Sequence, residues 1–332
     1  MLKPDAFEIT ELADGVHAVI RKDPLDDAAN ANVLVIVNER DVVVVDGNLT
    51  PSSSEATIAA IRKLTPNPVR YVINNHWHRD HVLGNSAYAD AFPGVEFIGH
   101  AFTREQMLGP VAASLEENRT AYAKALADVE GLIEKGVGAG GKPMTAQART
   151  ANVRLAQLYR AFLAEMPRMR IVAPDLLVKD GLTIRRGDRE IRVLFLGRGN
   201  TAGDLVVHLP KEGIVATGDL LVHPVPFAFG SYPGEWSGAL ARLEALQPRL
   251  MMPGHGALLR DMTFLTAVRE TLVALTAQMR EAVAKGMTLE QARAALDLKA
   301  YEARMPGGNF MGMFVIPASE RAYLEARGEI KD

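Results

Sequence analysis

The chain has 332 residues, 48% of them apolar, a net charge of −3 and no cysteine. Its length and apolar share suffice for one large core, while the missing thiols exclude thiolate metal sites, disulfides and a cysteine nucleophile. The scattered charge forms no basic stripe, which argues against nucleic acid as a partner. No apolar stretch reaches the roughly 18–20 residues of a membrane span, and Met1 to Thr10 holds no apolar leader segment. Neither a membrane association nor a signal peptide is expected, and the compartment stays open between cytoplasm and periplasm.

Residues 15–20 and 31–37 read as strands. Asn38-Glu39-Arg40 reads as a hairpin turn, and Asp41 to Asp46 as a deeply buried strand, because a continuous valine run suits a strand covered on both faces. Residues 51–65 carry helical spacing at Ile58, Ile61 and Leu64, with Pro51 at the start and Ser52 to Ser54 available as caps. Val69 to Ile73 is a further strand that runs into His76-Trp77-His78-Arg79-Asp80-His81, and Gly94 to Gly99 is another.

Residues 103–168 change character, being rich in Ala, Leu, Glu, Gln and Arg. Thr103 and Gln106 fit a capping box. Leu126, Val129, Leu132 and Ile133 have helical spacing, Gly136 to Gly141 followed by Pro143 breaks the pattern, and a second helix is expected over 145–165. This stretch reads as an inserted helical hairpin. Three roles are open for it: a packed structural insert, a wall over the site, or a surface for homo-oligomers.

Strand signals return at 176–179, 182–184, 191–196, 204–209 and 213–217. A helix follows Trp236 to Leu246, then a short strand at 249–252 and the tight loop Pro253-Gly254-His255-Gly256. Residues 261–304 read as helical, and 306–332 as a Gly- and Met-rich C-terminal extension closing in a short helix. The order of elements predicts two similar strand–helix halves packed sheet to sheet, forming a single domain over 1–332.

The histidine run carries the chemistry. It gathers three of the eight histidines of the chain and one carboxylate within six residues. Imidazole and carboxylate are what zinc, iron and manganese accept from a protein without thiolates. In an extended strand end His76 and His78 point the same way. Asp80 and His81 follow once the chain has begun to turn, so one short loop can serve two neighbouring metal positions.

Four segments in order resemble the metallo-β-lactamase superfamily: His76-x-His78-x-Asp80-His81, Gly197-x-x-Asn200-Thr201-x-Gly203-Asp204, Gly218-Asp219-Leu220 and Gly254-His255-Gly256. The resemblance implies an α/β protein, an αββα sandwich of two mixed sheets with outer helices and a metal site at the sheet edge. It implies that His76 and His78 serve a first metal, that Asp80, His81 and His255 serve a second, and that Asp219 bridges them. Asp46 matches an aspartate that holds the histidine loop by hydrogen bonds. One position departs: Asn200 stands where the family has the third histidine of the first metal. A neutral amide is the weaker ligand. One tight zinc at Asp80/His81/His255 and a second, weaker or absent, are therefore expected, with iron or manganese less favoured. His208 lies mid-strand and offers no substitute. His100 is read as structural, Asp204 as a cap or loop residue, and His17 has no role.

The implied activity is hydrolysis of a small ester, thioester, lactone or amide, β-lactams included, by a water that Asp80 orients. His223, Tyr232 and Trp236 are candidates for the substrate pocket. The alternatives are an iron-dependent oxidoreductase of the same fold, which relies on the histidine that Asn200 replaces, and a non-catalytic metal-binding interaction module. A nucleic-acid-processing role is disfavoured by the charge balance.

Overall fold

The computed structural model describes residues 6–21, 30–138 and 141–330. Part of the Met1 to Thr10 segment and part of the Gly136 to Gly141 break lie outside these residues.

The first sheet takes seven strands in chain order: β1 (Phe7–Ala13), β2 (Val16–Arg21), β3 (Val33–Val37), β4 (Val42–Val45), β5 (Val69–Ile73), β6 (Glu96–His100) and β7 (Leu176–Val178). Pairing is antiparallel from β1 to β4 and parallel from β4 to β7. The second sheet runs β12 (Leu250–Pro253), β11 (Ile214–Gly218), β10 (Leu205–Leu209), β9 (Arg189–Phe195), β8 (Gly181–Arg186). Only its β11–β12 pair is parallel.

Strand periodicity explains why the two sheets stack. Val43 and Val45 face the core between the sheets, with Leu34, Ile73, Val193, Leu205 and Val207. Their neighbours Val42 and Val44 face the opposite way, since successive strand side chains alternate faces. There they meet Ile58 and Ile61 of α1 (Pro51–Leu64) and, beyond the short α2 (Arg79–Val82), Tyr88 of α3 (Asn85–Ala91). Each such apolar side chain contributes about 1.5–3 kcal/mol by leaving water. The second sheet does the same: Val206 and Val215 turn outward onto the helices that cover its other face.

After β6 come α4 (Ala101–Gln106), a π-helical turn (Met107–Val111), α5 (Ala112–Lys135) and α6 (Ala146–Glu165). This is the expected hairpin, with two differences. Helix α4 begins at Ala101, not Thr103: the His100 ring caps it, its Nδ1 accepting from the Phe102 N–H at 3.2 Å. Thr103 therefore sits inside a turn and makes no capping box. The hairpin also touches the body chiefly at its foot, where Phe162, Met166 and Met169 pack with Leu49, Leu83 and Val111. None of the α5 side chains is buried.

The second sheet is covered by α7 (Pro233–Ala245), α8 (Thr263–Ala284), α9 (Leu289–Ala295) and α10 (Lys299–Glu302), then by a π-helical turn (Phe310–Val315) and α11 (Ile316–Ala326). Strand β1 and helices α2 and α3 were not foreseen: β1 is an edge strand with no buried residue, and α2 is a single turn. Among the described residues no helix is long and apolar enough to cross a membrane.

Candidate metal centre

The candidate residues cluster at one crest of the sandwich. Asp46 follows β4, the histidine run follows β5, Asp219 follows β11 and His255 follows β12. All four strands end there because each sheet contributes a parallel pair, β4–β5 and β11–β12. Asn75 ties the crest together: its carbonyl accepts from Leu205 N–H at 2.8 Å, and its side-chain amide donates to the Leu205 carbonyl.

The structure brings the ligand-type side chains into two groups, His76/His78/Asp219 and Asp80/His81/His255, with the offered atoms of each group all within 4.8 Å of one another. His255 Nε2 lies 2.9 Å from Asp80 Oδ2 and 3.5 Å from Asp219 Oδ1. His81 Nε2 lies 3.4 Å from Asp80 Oδ2 and 3.3 Å from Asp219 Oδ1. The other Asp219 oxygen, Oδ2, is 3.7 Å from His76 Nε2. One carboxylate thus turns an oxygen toward each group. His76 and His81 have no exposed surface, His255 is buried, and the Asp80 side chain keeps 17% of its surface open.

Local chemistry aims these side chains. His81 Nδ1 is 2.9 Å from Asp46 Oδ2, and Asp46 Oδ1 accepts from Asn75 N–H at 2.9 Å. A proton on Nδ1 leaves the Nε2 lone pair facing the cluster. Asp46 and Asn48 both take left-handed φ values, 70° and 62°, which Asp and Asn tolerate better than most residues. The glycines around His255 are required sterically. A β-carbon at position 254 would lie 2.1 Å from Asp219 Oδ1, and one at 256 would lie 2.0 Å from the His223 carbonyl.

The electrostatics follow from packing two carboxylates and several imidazoles together. Burial would raise the Asp80 carboxyl, but His81 and the His255 hydrogen bond outweigh it and hold the group well below the usual carboxylate range. Asp219 is lowered likewise by His255 and His81 against its own burial. Burial opposes a charge on His81, yet Asp46, Asp80 and Asp219 lift it well above its ordinary value. Buried His76, beside three other imidazoles, falls well below it. The two carboxylates thus demand positive charge, and without a metal only protons on His81 and His255 supply it.

A divalent cation fits this donor set. His76 Nδ1 and Nε2, His81 Nε2 and Asp219 Oδ1 are buried without a hydrogen-bond partner among the described residues, and His255 Nε2 has only the Asp80 carboxylate beside it. Each unmade bond costs roughly 1–3 kcal/mol, and one coordinated ion satisfies several at once. Nitrogen and oxygen donors without thiolate suit zinc, iron or manganese.

The other candidates fall in different places. Asn200, in the loop between β9 and β10, is fully buried with neither amide atom partnered among the described residues. Asp204 shapes that loop, accepting from Thr201 N–H at 2.8 Å and Thr201 Oγ1 at 2.7 Å, and burial pushes its carboxyl up to about 7. His223 is bonded through its N–H to the His255 carbonyl at 3.2 Å. Trp236 faces no opening: it is fully buried in the core, and its indole N–H donates to the Leu220 carbonyl at 3.0 Å. It supports the Asp219 segment from beneath. Tyr232 is also buried, between the guanidiniums of Arg198 and Arg321 at 4.5 and 5.0 Å from its ring. Sequence reasoning missed Asn74, whose amide donates to the His81 carbonyl at 3.3 Å and pairs with Asn85. The Asn74-Asn75 pair at the end of an apolar strand was the available signal.

The family model for the metallo-beta-lactamase superfamily matches residues 26–255, well over half of the chain. The chain belongs to the metallo-beta-lactamase superfamily. Among solved structures the fold is similar to the sec-alkylsulfatase Pisa1 from Pseudomonas sp., with a TM-score of 0.66 and 18% identity over 96% of this chain and 50% of that one. It is also similar to DIM-1 metallo-beta-lactamase, with a TM-score of 0.53 and 15% identity over 80% of this chain and 97% of that one. A curated relative, a linear primary-alkylsulfatase from Pseudomonas sp., is 20% identical over 65% of this chain and 39% of its own length. The chain spans half or less of both sulfatases. Members of the superfamily are hydrolases, typically with metal, and the fold is theirs.

Proposed function

We propose that the chain is a metal-dependent hydrolase of small esters, with alkyl sulfate esters the leading substrate class. The observation that carries the hydrolase reading is Asp219, whose one oxygen faces His76 Nε2 and whose other faces His81 and His255 Nε2. Asp80, His81 and His255 would hold the tighter cation, for which zinc is the first candidate. His76, His78 and Asp219, with Asn200, would hold a weaker one. A divalent cation there supplies Lewis-acid charge and lowers the pKa of water toward neutrality.

The chain's own residues do the rest. Asp80 is ionised and the most open member of its cluster, so it accepts a hydrogen bond from the attacking water and orients it. It takes the proton as the water oxygen bonds to the ester and the ester bond breaks, and passes it to the departing group, giving alcohol and hydrogen sulfate. Asp46 keeps His81 in one tautomer throughout.

The sulfate reading is supported by how much of the chain resembles the sulfatase. A match over 96% of the chain takes in the helical hairpin and the C-terminal helices, whereas the lactamase match covers 80%. The foot of the hairpin packs with Trp77, inside the histidine run, so this added element borders the site. His223 joins it at the rim through the His255 backbone.

The test is a hydrolysis panel on zinc-loaded protein: dodecyl sulfate, a secondary alkyl sulfate, a thioester, a lactone and a chromogenic cephalosporin, each with and without chelator. Chelator-sensitive release of sulfate is expected. Turnover of the cephalosporin or the thioester alone would move the substrate class. No turnover of any substrate by protein shown to carry zinc would overturn the hydrolase reading.

A further inference from the structure

Asn32, at the entry to β3, has no part in the ligand set, yet it is 1% exposed and touches the His255 loop at three points. Its N–H donates to the Gly254 carbonyl at 2.7 Å. Its side-chain amide donates to the Pro253 carbonyl at 3.0 Å and to the Gly256 carbonyl at 2.9 Å. These three carbonyls bracket His255 on both sides. The contacts cross from the first sheet to the second, between residues more than 220 positions apart in sequence.

The two residues before Asn32 hold the other side of the same cluster. The Ala31 carbonyl accepts from the Asn48 side chain at 3.0 Å, and Asn30 Oδ1 accepts from Leu49 N–H at 3.1 Å. Asn48 is in turn bonded by the buried Arg21 guanidinium at 3.1 Å. These contacts set the left-handed Asp46–Asn48 turn, and Asp46 aims His81. Residues 30–32 therefore form a buckle: one end fixes the turn that orients His81, the other fixes the loop that presents His255.

We propose that Asn32 is a positioning residue for the Asp80/His81/His255 cluster, holding His255 from the opposite sheet so that its Nε2 meets the ion those residues bind. The inference rests on the reading of that cluster as a cation site. An amide is suited to the task because it offers two N–H donors to two carbonyls and carries no charge. Aspartate has the same shape but no N–H, and would set a carboxylate against two carbonyl oxygens in a buried place.

The test compares Asn32→Asp, Asn32→Ser and Asn38→Asp by zinc titration calorimetry and by thermal melting of metal-free protein. Asn38 is a control: a buried asparagine on the same sheet whose amide donates to Asp41 Oδ1 at 3.0 Å, near the opposite ends of β3 and β4. The expected result is a loss of zinc affinity of about 10–100-fold at the tighter event in Asn32→Asp. Asn32→Ser, which keeps one short donor, should lose less, and Asn38→Asp should melt earlier with zinc affinity within about twofold of wild type. The serine variant decides the matter if the aspartate variant does not fold. Asn32 variants that melt earlier but keep wild-type zinc affinity would overturn the positioning role and leave the cation site standing. A wild-type chain that takes up no zinc would overturn the site itself, and this inference with it.

Discussion

The two side-chain clusters at the crest share a loop and a carboxylate but are supported differently. Asp80, His81 and His255 come from both sheets, and each imidazole is steered: His81 by Asp46, His255 by backbone bonds from Asn32 and His223. His76 and His78 have no such partner; both ring nitrogens of His76 are buried and unpaired among the described residues. Where the resemblance implies a third imidazole, this chain has the amide of Asn200. The contrast teaches that ligand type alone does not make two sites equal. A ligand held in one orientation before the ion arrives loses less freedom on binding, and a charged or strongly basic set binds tighter than one containing an amide.

The largest expected effect comes from removing what the clusters share. Asp219→Ala should cut hydrolysis by about 10³-fold at saturating zinc, since several kcal/mol of charge stabilisation at both positions depend on it. A fall below tenfold in kcat/KM would mean that the clusters work independently. Next is Asp46→Ala, which frees the His81 ring and takes the acceptor from the Asn75 N–H. Zinc affinity at the tighter event should drop about 10–100-fold while the weaker event is unchanged, both read by calorimetry; equal losses at both would dissolve the distinction.

Asn200→His sharpens the comparison from the other side. Restoring an imidazole should tighten the weaker event about tenfold, the equivalent of roughly 1.4 kcal/mol. Unchanged binding would place Asn200 outside the ligand set. The mildest perturbation separates the clusters by pH. Metal-free His81 is lifted well above its ordinary value and holds a proton, whereas His76 is held well below it and is neutral. Zinc must displace the His81 and His255 protons, so affinity at the tighter event should rise with pH between about pH 6 and 8, the two-proton limit being about a hundredfold per pH unit. The weaker event should change less. Titrations at three pH values in two buffers of different ionisation enthalpy would show which event releases the protons.

Much of the body was legible residue by residue. Val42 to Val45 announced a strand covered on both faces, and in the structure its alternate side chains fill two separate cores. The α1 helix begins where Pro51 predicts, although its cap is Thr50, whose hydroxyl accepts from Ser53 N–H at 3.2 Å, and not one of the serines that follow. Strand β1 escaped because its apolar alternation at Phe7 and Ile9 breaks at Leu12-Ala13, where the pairing with β2 shifts register, and none of its residues is buried. Trp236 could line a cleft or pack, and only the fold decides between them: its ring is fully buried in the core.

The histidine run, its carboxylate and the glycines beside His255 declare metal-ligand chemistry from sequence alone, because that information is local: residue type and spacing within a few positions. That His255 joins Asp80 and that Asp219 stands between the groups came only through the family resemblance; the tertiary structure decided the distances at which they meet, and that Asn32 grips a loop 221 residues away. Those meetings depend on how two sheets stack and where their parallel strand pairs end, and no short window of sequence contains the distance between them.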